Sequence, residues 1–190
     1  MPAATPRLRV RAFTPADGPL VHQLVGDPEV MRHLQGGAVP LDRVANEVLA
    51  PMLALAVQLP GHGRFCLEQR DTGAFVGWVS LVPRVPDDGP VYGWARGAMG
   101  SVVLELGFRL VRRTWGRGLA TEAAHAAVDH ASAVLGAHTL VATTMAVNSG
   151  ACRVLERVGF ARTAVRVLDW PAPNPGAEHG EAEYRLDLLR

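Results

Sequence analysis

Between Glu105 and Ala123 the chain reads ELGFRLVRRTWGRGLATEA. An apolar strand pattern runs into a turn rich in Arg and Gly, and an Ala-rich helix pattern follows. Gly116 and Gly118 fall where strand gives way to helix. The first amides of a helix lack intrahelical acceptors and sit at the positive end of its dipole, so this junction suits a phosphate or pyrophosphate. Glycine lets an anion come close to those amides. Arg112, Arg113 and Arg117 add planar, permanently charged donors. Upstream, Glu105 lies within the strand itself. A carboxylate in a central strand costs free energy unless it is paired or used. Burial would raise its pKa toward the range of a general base. The alternative is a structural ion pair with Arg109, which shares its face of the strand.

The phosphate chemistry is narrowed by what the turn lacks. A P-loop needs Gly-Lys-Ser/Thr, and all 19 basic residues of this chain are Arg. The dinucleotide fingerprint G-x-G-x-x-G is incomplete, because Thr121 stands in the place of its last glycine. The seven histidines show no metal spacing; His125 and His130 do not share a helical face, so no metal is expected.

At 190 residues, 48% hydrophobic and 19% charged, the chain fits one globular domain spanning residues 1–190. A net charge of +1 gives no reason to expect nucleic acid or an anionic membrane as a partner. Cys66 and Cys152 occur in unlike contexts, which suits a reducing compartment. The first residues, MPAATPRLRV, lack the apolar core of a signal peptide, and the most apolar stretch, Val44 to Leu59, is broken by Asn46, Glu47 and Pro51. A cytoplasmic location is the expectation.

Elements that would position these residues follow from pattern. Arg7 to Phe13 alternates charged and apolar residues, as a half-buried strand does. Thr14-Pro15 and Asp27-Pro28 are helix starts, the second helix reaching Leu34 and ending at Gly36-Gly37. Asp42 to Leu59 is amphipathic, with Pro51 a kink or break. Arg64 to Arg70 and Ala74 to Val82 form a hairpin about Asp71-Thr72-Gly73. Ser101 to Leu110 and His138 to Val147 are strands, and a helix from the glycine turn to Leu135 packs through Ala120, Ala123, Ala127 and Ala131. Asn148-Ser149 starts a helix that runs to Val158. Phe160 to Trp170 and Ala182 to Leu189 complete a mixed α/β order. Two Pro/Gly-rich loops, 83–100 and 171–181, have the composition of functional or mobile segments. The first contains Asp87 and Asp88, and Trp94 and Trp170 lie in or beside the two.

The pattern R-x-x-G-x-G from Arg113 to Gly118 resembles the acetyl-CoA pyrophosphate loop of the GNAT superfamily of N-acyltransferases. NSGACRVLERVGF, Asn148 to Phe160, is similar to the family's N-x-x-S/A-x-x-V-L-E-K-x-G-F segment, and DPEVMRHL, Asp27 to Leu34, looks like the opening of the RimJ/RimL-type branch. The resemblance covers Leu8 to Leu188. It implies a central twisted mixed sheet of six to seven strands flanked by about four helices. It also implies an acetyl-CoA-dependent N-acetyltransferase acting on an amine acceptor of open identity, whether a protein N-terminus or a small molecule. A homodimer stays open.

Carried over by residue, the resemblance implies that the strand edge at Phe108, Leu110 and Val111 pairs with the pantetheine amides. Arg113 and the amides of Trp115, Gly116, Arg117, Gly118 and Leu119, with Ala120 beside them, would hold the pyrophosphate. Asn148 would reach the cofactor, or would simply cap its helix. Glu105 would be the base. The family's usual acid positions depart from pattern, holding Leu155-Glu156 in place of a Tyr and Ala151 in place of a Ser. Ser149 is a substitute, and Cys152 reads as core. That departure motivates a second reading, an acyl-CoA-binding module without turnover.

Overall fold

The computed structural model describes residues 1–84, 103–170 and 172–188. In β1, Leu8–Ala12, Leu8 and Val10 are buried and Arg9 faces solvent, as the alternation requires. The other strands are β2 Gly63–Gln69, β3 Phe75–Pro83, β4 Val103–Leu110, β5 Thr139–Met145, β6 Ala161–Arg166 and β7 Glu181–Asp187. They form one sheet of seven strands in the order β1-β2-β3-β4-β5-β7-β6. All neighbours are antiparallel except β4 and β5, which run parallel. That one parallel pair requires a crossover, and the helix after the glycine turn provides it.

The helices are α1 Gly18–Val25, α2 Pro28–Met31, α3 Leu41–Val44, α4 Ala50–Gln58, α5 Leu119–Ala133 and α6 Ser149–Val158. They cover both faces of the sheet. On one face Leu104, Leu106 and Leu110 of β4 pack with Ala123, Ala127 and Ala131 of α5 and with Leu155 and Val158 of α6. The alanine stripe lets α5 lie close to the strands. On the other face Cys66 and Trp78 pack with Val21, Leu24, Met31, Val44 and Met52 from the first four helices. The odd-numbered residues of β4, Glu105 among them, point to this second face, because their neighbours along the strand point to the first.

The stretch from Leu41 to Gln58 departs from the expected kinked α-helix. A π turn at Ala45–Leu49 joins α3 to α4, and the Ala50 N–H donates to the Ala45 carbonyl, five residues back. Pro51 has no N–H to give and its ring crowds the carbonyl of residue 47 in an α-helix. The wider π turn before it removes that conflict. The helix opening at Asp27 is shorter than its pattern, ending at Met31 with one further turn in which the Leu34 N–H donates to the Met31 carbonyl. The final strand pair is also shorter than expected, since Val167 to Trp170 lie beyond β6. Asp87, Asp88, Trp94 and most of the 83–100 loop lie outside the described residues.

Candidate active site

β4 is paired along its whole length with β3, from Leu104 opposite Pro83 to Leu110 opposite Gly77. With β5 it pairs only at Val103, Leu104 and Glu105, opposite Thr139, Leu140 and Val141. Beyond Glu105 the two central strands part. The Arg84 N–H donates to the Val103 carbonyl and the Val111 N–H to the Val76 carbonyl. By the alternation of an antiparallel ladder, Glu105, Gly107 and Arg109 therefore direct their backbone groups at β3, and Leu106, Phe108 and Leu110 direct theirs into the opening. The Leu110 carbonyl accepts the indole N–H of Trp115 at 2.7 Å, closing the far end. Past the Glu105–Val141 bridge, which takes up the Leu106 N–H, the Leu106 carbonyl and the peptide groups of Phe108 meet no strand among the described residues.

Val111 does not join that edge. Its N–H is bound to Val76, and its carbonyl accepts the Thr114 N–H at 3.0 Å and hydroxyl at 2.7 Å. A 3-10 turn at Arg112–Thr114 follows, and the chain then reaches α5 through Gly116 and Gly118, at φ 72° and 74°. A Cβ at Gly116 would meet nothing within 4 Å, and at Gly118 only the Arg7 guanidinium at 3.6 Å. Conformation, not crowding by the protein, calls for glycine, and the surface over these amides stays open. Leu119 is buried and anchors the first turn of α5 while Ala120 is half-buried beside it.

Arg113 is drawn away from this surface. Its guanidinium donates to Gln23 Oε1 at 3.2 Å and to the Phe75 carbonyl at 3.0 Å, fastening the turn to α1 and β3. Sequence spacing places it at the loop but cannot show which way a long side chain turns. Arg112 and Arg117 are exposed on the turn and remain as its free positive charge among the described residues. Arg7 secures the turn from outside, its guanidinium donating to the Arg117 carbonyl at 2.9 Å and to the Glu122 carboxylate of α5 at 2.5 Å. The Thr5 hydroxyl donates to the same carboxylate.

Glu105 is one-quarter exposed and pairs with Arg84 at 3.4 Å, not with Arg109. Arg109 lies over the Trp78 ring, 4.8 Å from its centroid, with one N–H 3.2 Å from Met31 Sδ. Trp78 sits directly across the ladder from Arg109, and its aromatic face holds the guanidinium in place. Burial raises the Glu105 pKa above the usual carboxylate value, against the opposing charges of Arg84 and Arg64. The carboxyl thus lies on the strand that borders the opening, held nearer to neutral pH than a solvated Glu. Sequence reasoning passed over a second such group. Burial also raises Glu181, at the head of β7, and an acid there carries no signal that separates it from the surrounding loop.

Asn148 caps α6, its side-chain oxygen accepting the Ala151 N–H at 3.2 Å. Leu155 is 2% exposed and belongs to the core, while Ala151 is half-buried and Ser149 exposed at the first turn. The buried phenol of Tyr184 lies 3.4 Å from Glu156, in the core shared with α5 and α6. It faces away from Glu105 and supplies no acid to that side of the sheet. The His130 Nε2–H donates to the Gly61 carbonyl at 3.0 Å and is a structural contact.

A mixed sheet is parted between its two central strands, with a glycine turn leading into a helix beside the opening. Residues 7–161 match the acetyltransferase (GNAT) domain family. The chain belongs to this family. It is 29% identical over 160 residues to the FsC-acetyl coenzyme A-N(2)-transacetylase of Aspergillus fumigatus, a match spanning 84% of this chain and 65% of that relative's length. The fold is similar to that of RimL, a ribosomal L7/L12 α-N-protein acetyltransferase solved with coenzyme A, with TM-score 0.75, 15% identity and coverage of 98% and 97% of the two chains. It is also similar to spermidine N-acetyltransferase from Vibrio cholerae, with TM-score 0.73, 16% identity and 96% of each chain covered.

Proposed function

We propose that the protein transfers an acetyl group from acetyl-CoA to a primary amine by direct attack in a ternary complex, as a cytoplasmic enzyme of the RimJ/RimL-like branch. The observation that carries this reading is the parting of β4 from β5 beyond Glu105, which sets unpaired peptide groups, an open glycine turn and a perturbed carboxyl along one strand. The residues present fit the co-substrate. The Leu106 carbonyl and the Phe108 peptide groups are open to pantetheine, and Gly116 through Ala120 offer amides to the pyrophosphate with Arg112 and Arg117 alongside, whereas the Trp115 N–H is already held by the Arg112 carbonyl at 3.1 Å. Asn148 can keep its cap through the side-chain oxygen while its amide N–H groups remain for the ligand. Acetyl-CoA supplies a thioester whose acetyl carbon an amine can attack, with CoA leaving as the thiolate.

Glu105 accepts the proton that an ammonium must lose to become a nucleophile, directly or through water. Its raised pKa suits this work, and Arg84 orients it. The branch assignment rests on the Asp27 to Leu34 segment, which forms a capped turn and short helix. The acceptor amines named for the relatives, from protein N-termini to a polyamine and the FsC amine, mark the range to be searched. The test is release of free CoA from acetyl-CoA with panels of peptides, amino acids, polyamines and aminoglycosides, with product masses checked for an added acetyl group. Turnover with any of these supports the reading. Failure to bind acetyl-CoA overturns it.

The buried Leu155 and the Ala151 methyl, in the places where the family often has an acid, favour one competing reading: an acyl-CoA-binding module without turnover. Glu105→Gln separates the two. An enzyme loses rate and keeps CoA affinity, whereas a binding module changes in neither.

A further inference from the structure

Arg7 immediately precedes β1, yet its guanidinium spans two groups of the glycine turn and the helix behind it. One terminal nitrogen donates to the Arg117 carbonyl at 2.9 Å, and Nε donates to the Glu122 carboxylate at 2.5 Å. The side chain of Arg7 is more than half exposed, and a single bond to a surface carbonyl would not hold so long a stem in one place. Glu122 fixes it. That carboxylate is only 15% exposed and also accepts the Arg7 backbone N–H, at 2.9 Å, and the Thr5 hydroxyl. The Thr5 oxygen in turn accepts the Leu8 N–H at 2.9 Å, which ties the assembly to the first residue of β1. Through its own N–H, Glu122 donates to the Gly118 carbonyl at 3.1 Å and closes the first turn of α5.

The bond to Arg117 decides the direction of a neighbouring amide. The peptide between Arg117 and Gly118 is trans and planar, so its carbonyl and its N–H point opposite ways. With the carbonyl held toward Arg7, the Gly118 N–H faces away from Arg7 and meets no acceptor among the described residues. The backbone alone does not choose this orientation. Turning the peptide plane over changes chiefly ψ of Arg117 and φ of Gly118, and glycine accepts either sign of φ. In the flipped state a carbonyl oxygen would stand where the amide now does, and it would repel an anion. A second guanidinium nitrogen lies 3.6 Å from the place of a Gly118 Cβ, so Arg7 follows the turn past the carbonyl it holds.

Resting on the acetyltransferase reading above, we propose that Arg7 is a positioning residue for the co-substrate. It holds the peptide between Arg117 and Gly118 in the orientation that presents the Gly118 N–H to the pyrophosphate, and it acts through the backbone of the turn. Glu122 and Thr5 hold the guanidinium in place.

The test uses the full chain. CoA and pantetheine are titrated by calorimetry, and inorganic pyrophosphate is followed at the Gly118 amide by NMR of protein carrying isotopically labelled glycine. Pantetheine has the arm of CoA without the pyrophosphate. Arg7→Met should weaken CoA binding about tenfold, the worth of one charge-assisted hydrogen bond, and leave pantetheine affinity unchanged. The Gly118 resonance should move with pyrophosphate in the wild type and stay nearly still in Arg7→Met. Arg7→Lys keeps the charge but has no planar fork to span carboxylate and carbonyl together, so it should lose CoA affinity as well. If Arg7→Met does not fold, Arg7→Lys alone decides.

Full CoA affinity in either folded variant would overturn the proposal, because charge near the turn would then be enough or nothing would be needed. Equal losses for CoA and pantetheine would overturn it too, as would a Gly118 amide indifferent to pyrophosphate in the wild type or equally responsive without Arg7. A wild type that fails to bind CoA while its Gly118 amide answers pyrophosphate counts against the acetyltransferase reading alone. A wild type that binds neither overturns both.

Discussion

Glu105 shares its face of β4 with Gly107 and Arg109, but its charge partner comes from the end of β3, where Arg84 reaches it at 3.4 Å. Glu105→Gln should lower kcat by about 10²–10⁴-fold, the usual contribution of a positioned base, and leave CoA affinity in place. A base must be deprotonated to act, so the wild-type rate should rise with pH through a value above that of an ordinary carboxylate. A pH–rate profile from the Gln variant that keeps this rise would remove Glu105 from the role. Asp17 runs the other way. Arg11 holds its pKa below the usual value through paired contacts at 2.8 Å, although burial opposes this. The stability it contributes is present above the ordinary Asp pKa and is lost as pH falls through the depressed one. Asp17→Ala should cost about 1–3 kcal/mol at pH 7, read by denaturant unfolding, because the Thr14 N–H loses its acceptor while Arg11 keeps Glu68 at 2.7 Å. The presence of an acid at position 105 and of cations around the glycine turn was legible in the sequence. Which Arg met which partner was not, since a guanidinium on a long stem reaches across strands and turns that spacing does not record. Arg113 turned to Gln23 and Phe75, and Arg84 took the place expected of Arg109.

At the scale of elements, the glycine turn and the cap of α6 show how local rules shape the site. Gly118 holds φ 74° at the start of α5, a conformation that costs an L-residue about 1–2 kcal/mol. Gly118→Ala should lose about that much stability, and should weaken CoA binding further by placing a methyl group over the amides. Thermal unfolding and CoA titration on one preparation separate the two effects. Asn148→Ala should cost about 1 kcal/mol as a lost cap, whereas Asn148→Asp should retain the stability. If only the cap mattered, the Asp variant would also keep CoA affinity; a loss there assigns the side-chain amide to the ligand. Strand order along the chain, the hairpin at Gly73 and the alanine stripe of α5 could all be read from period and punctuation. The π turn before Pro51 could not, because proline announces a break without saying how the backbone will avoid it.

Across the whole molecule, the first residues of the chain act as a clasp. Thr5 and Arg7 close on Glu122 and on the Arg117 carbonyl, joining the outer strand to the glycine turn. Burial alone would raise Glu122, yet the Thr5 hydroxyl and the Arg7 donors hold it below the usual value. This contribution too is present above the ordinary Glu pKa and fades as pH falls, so Glu122→Gln should lower stability at neutral pH and flatten the acid limb of a stability–pH curve. Among the described residues the sheet is held across its middle by three paired positions, Val103 to Glu105 against Thr139 to Val141. Peptide N–H groups in a central strand ordinarily exchange with solvent deuterium at the rate of global unfolding. That of Phe108 has no strand to shield it among the described residues, and should exchange early, as though it belonged to the rim of the sheet. A ligand laid along β4 would act as the missing strand and slow that amide, so its exchange time reports cofactor occupancy from inside the fold.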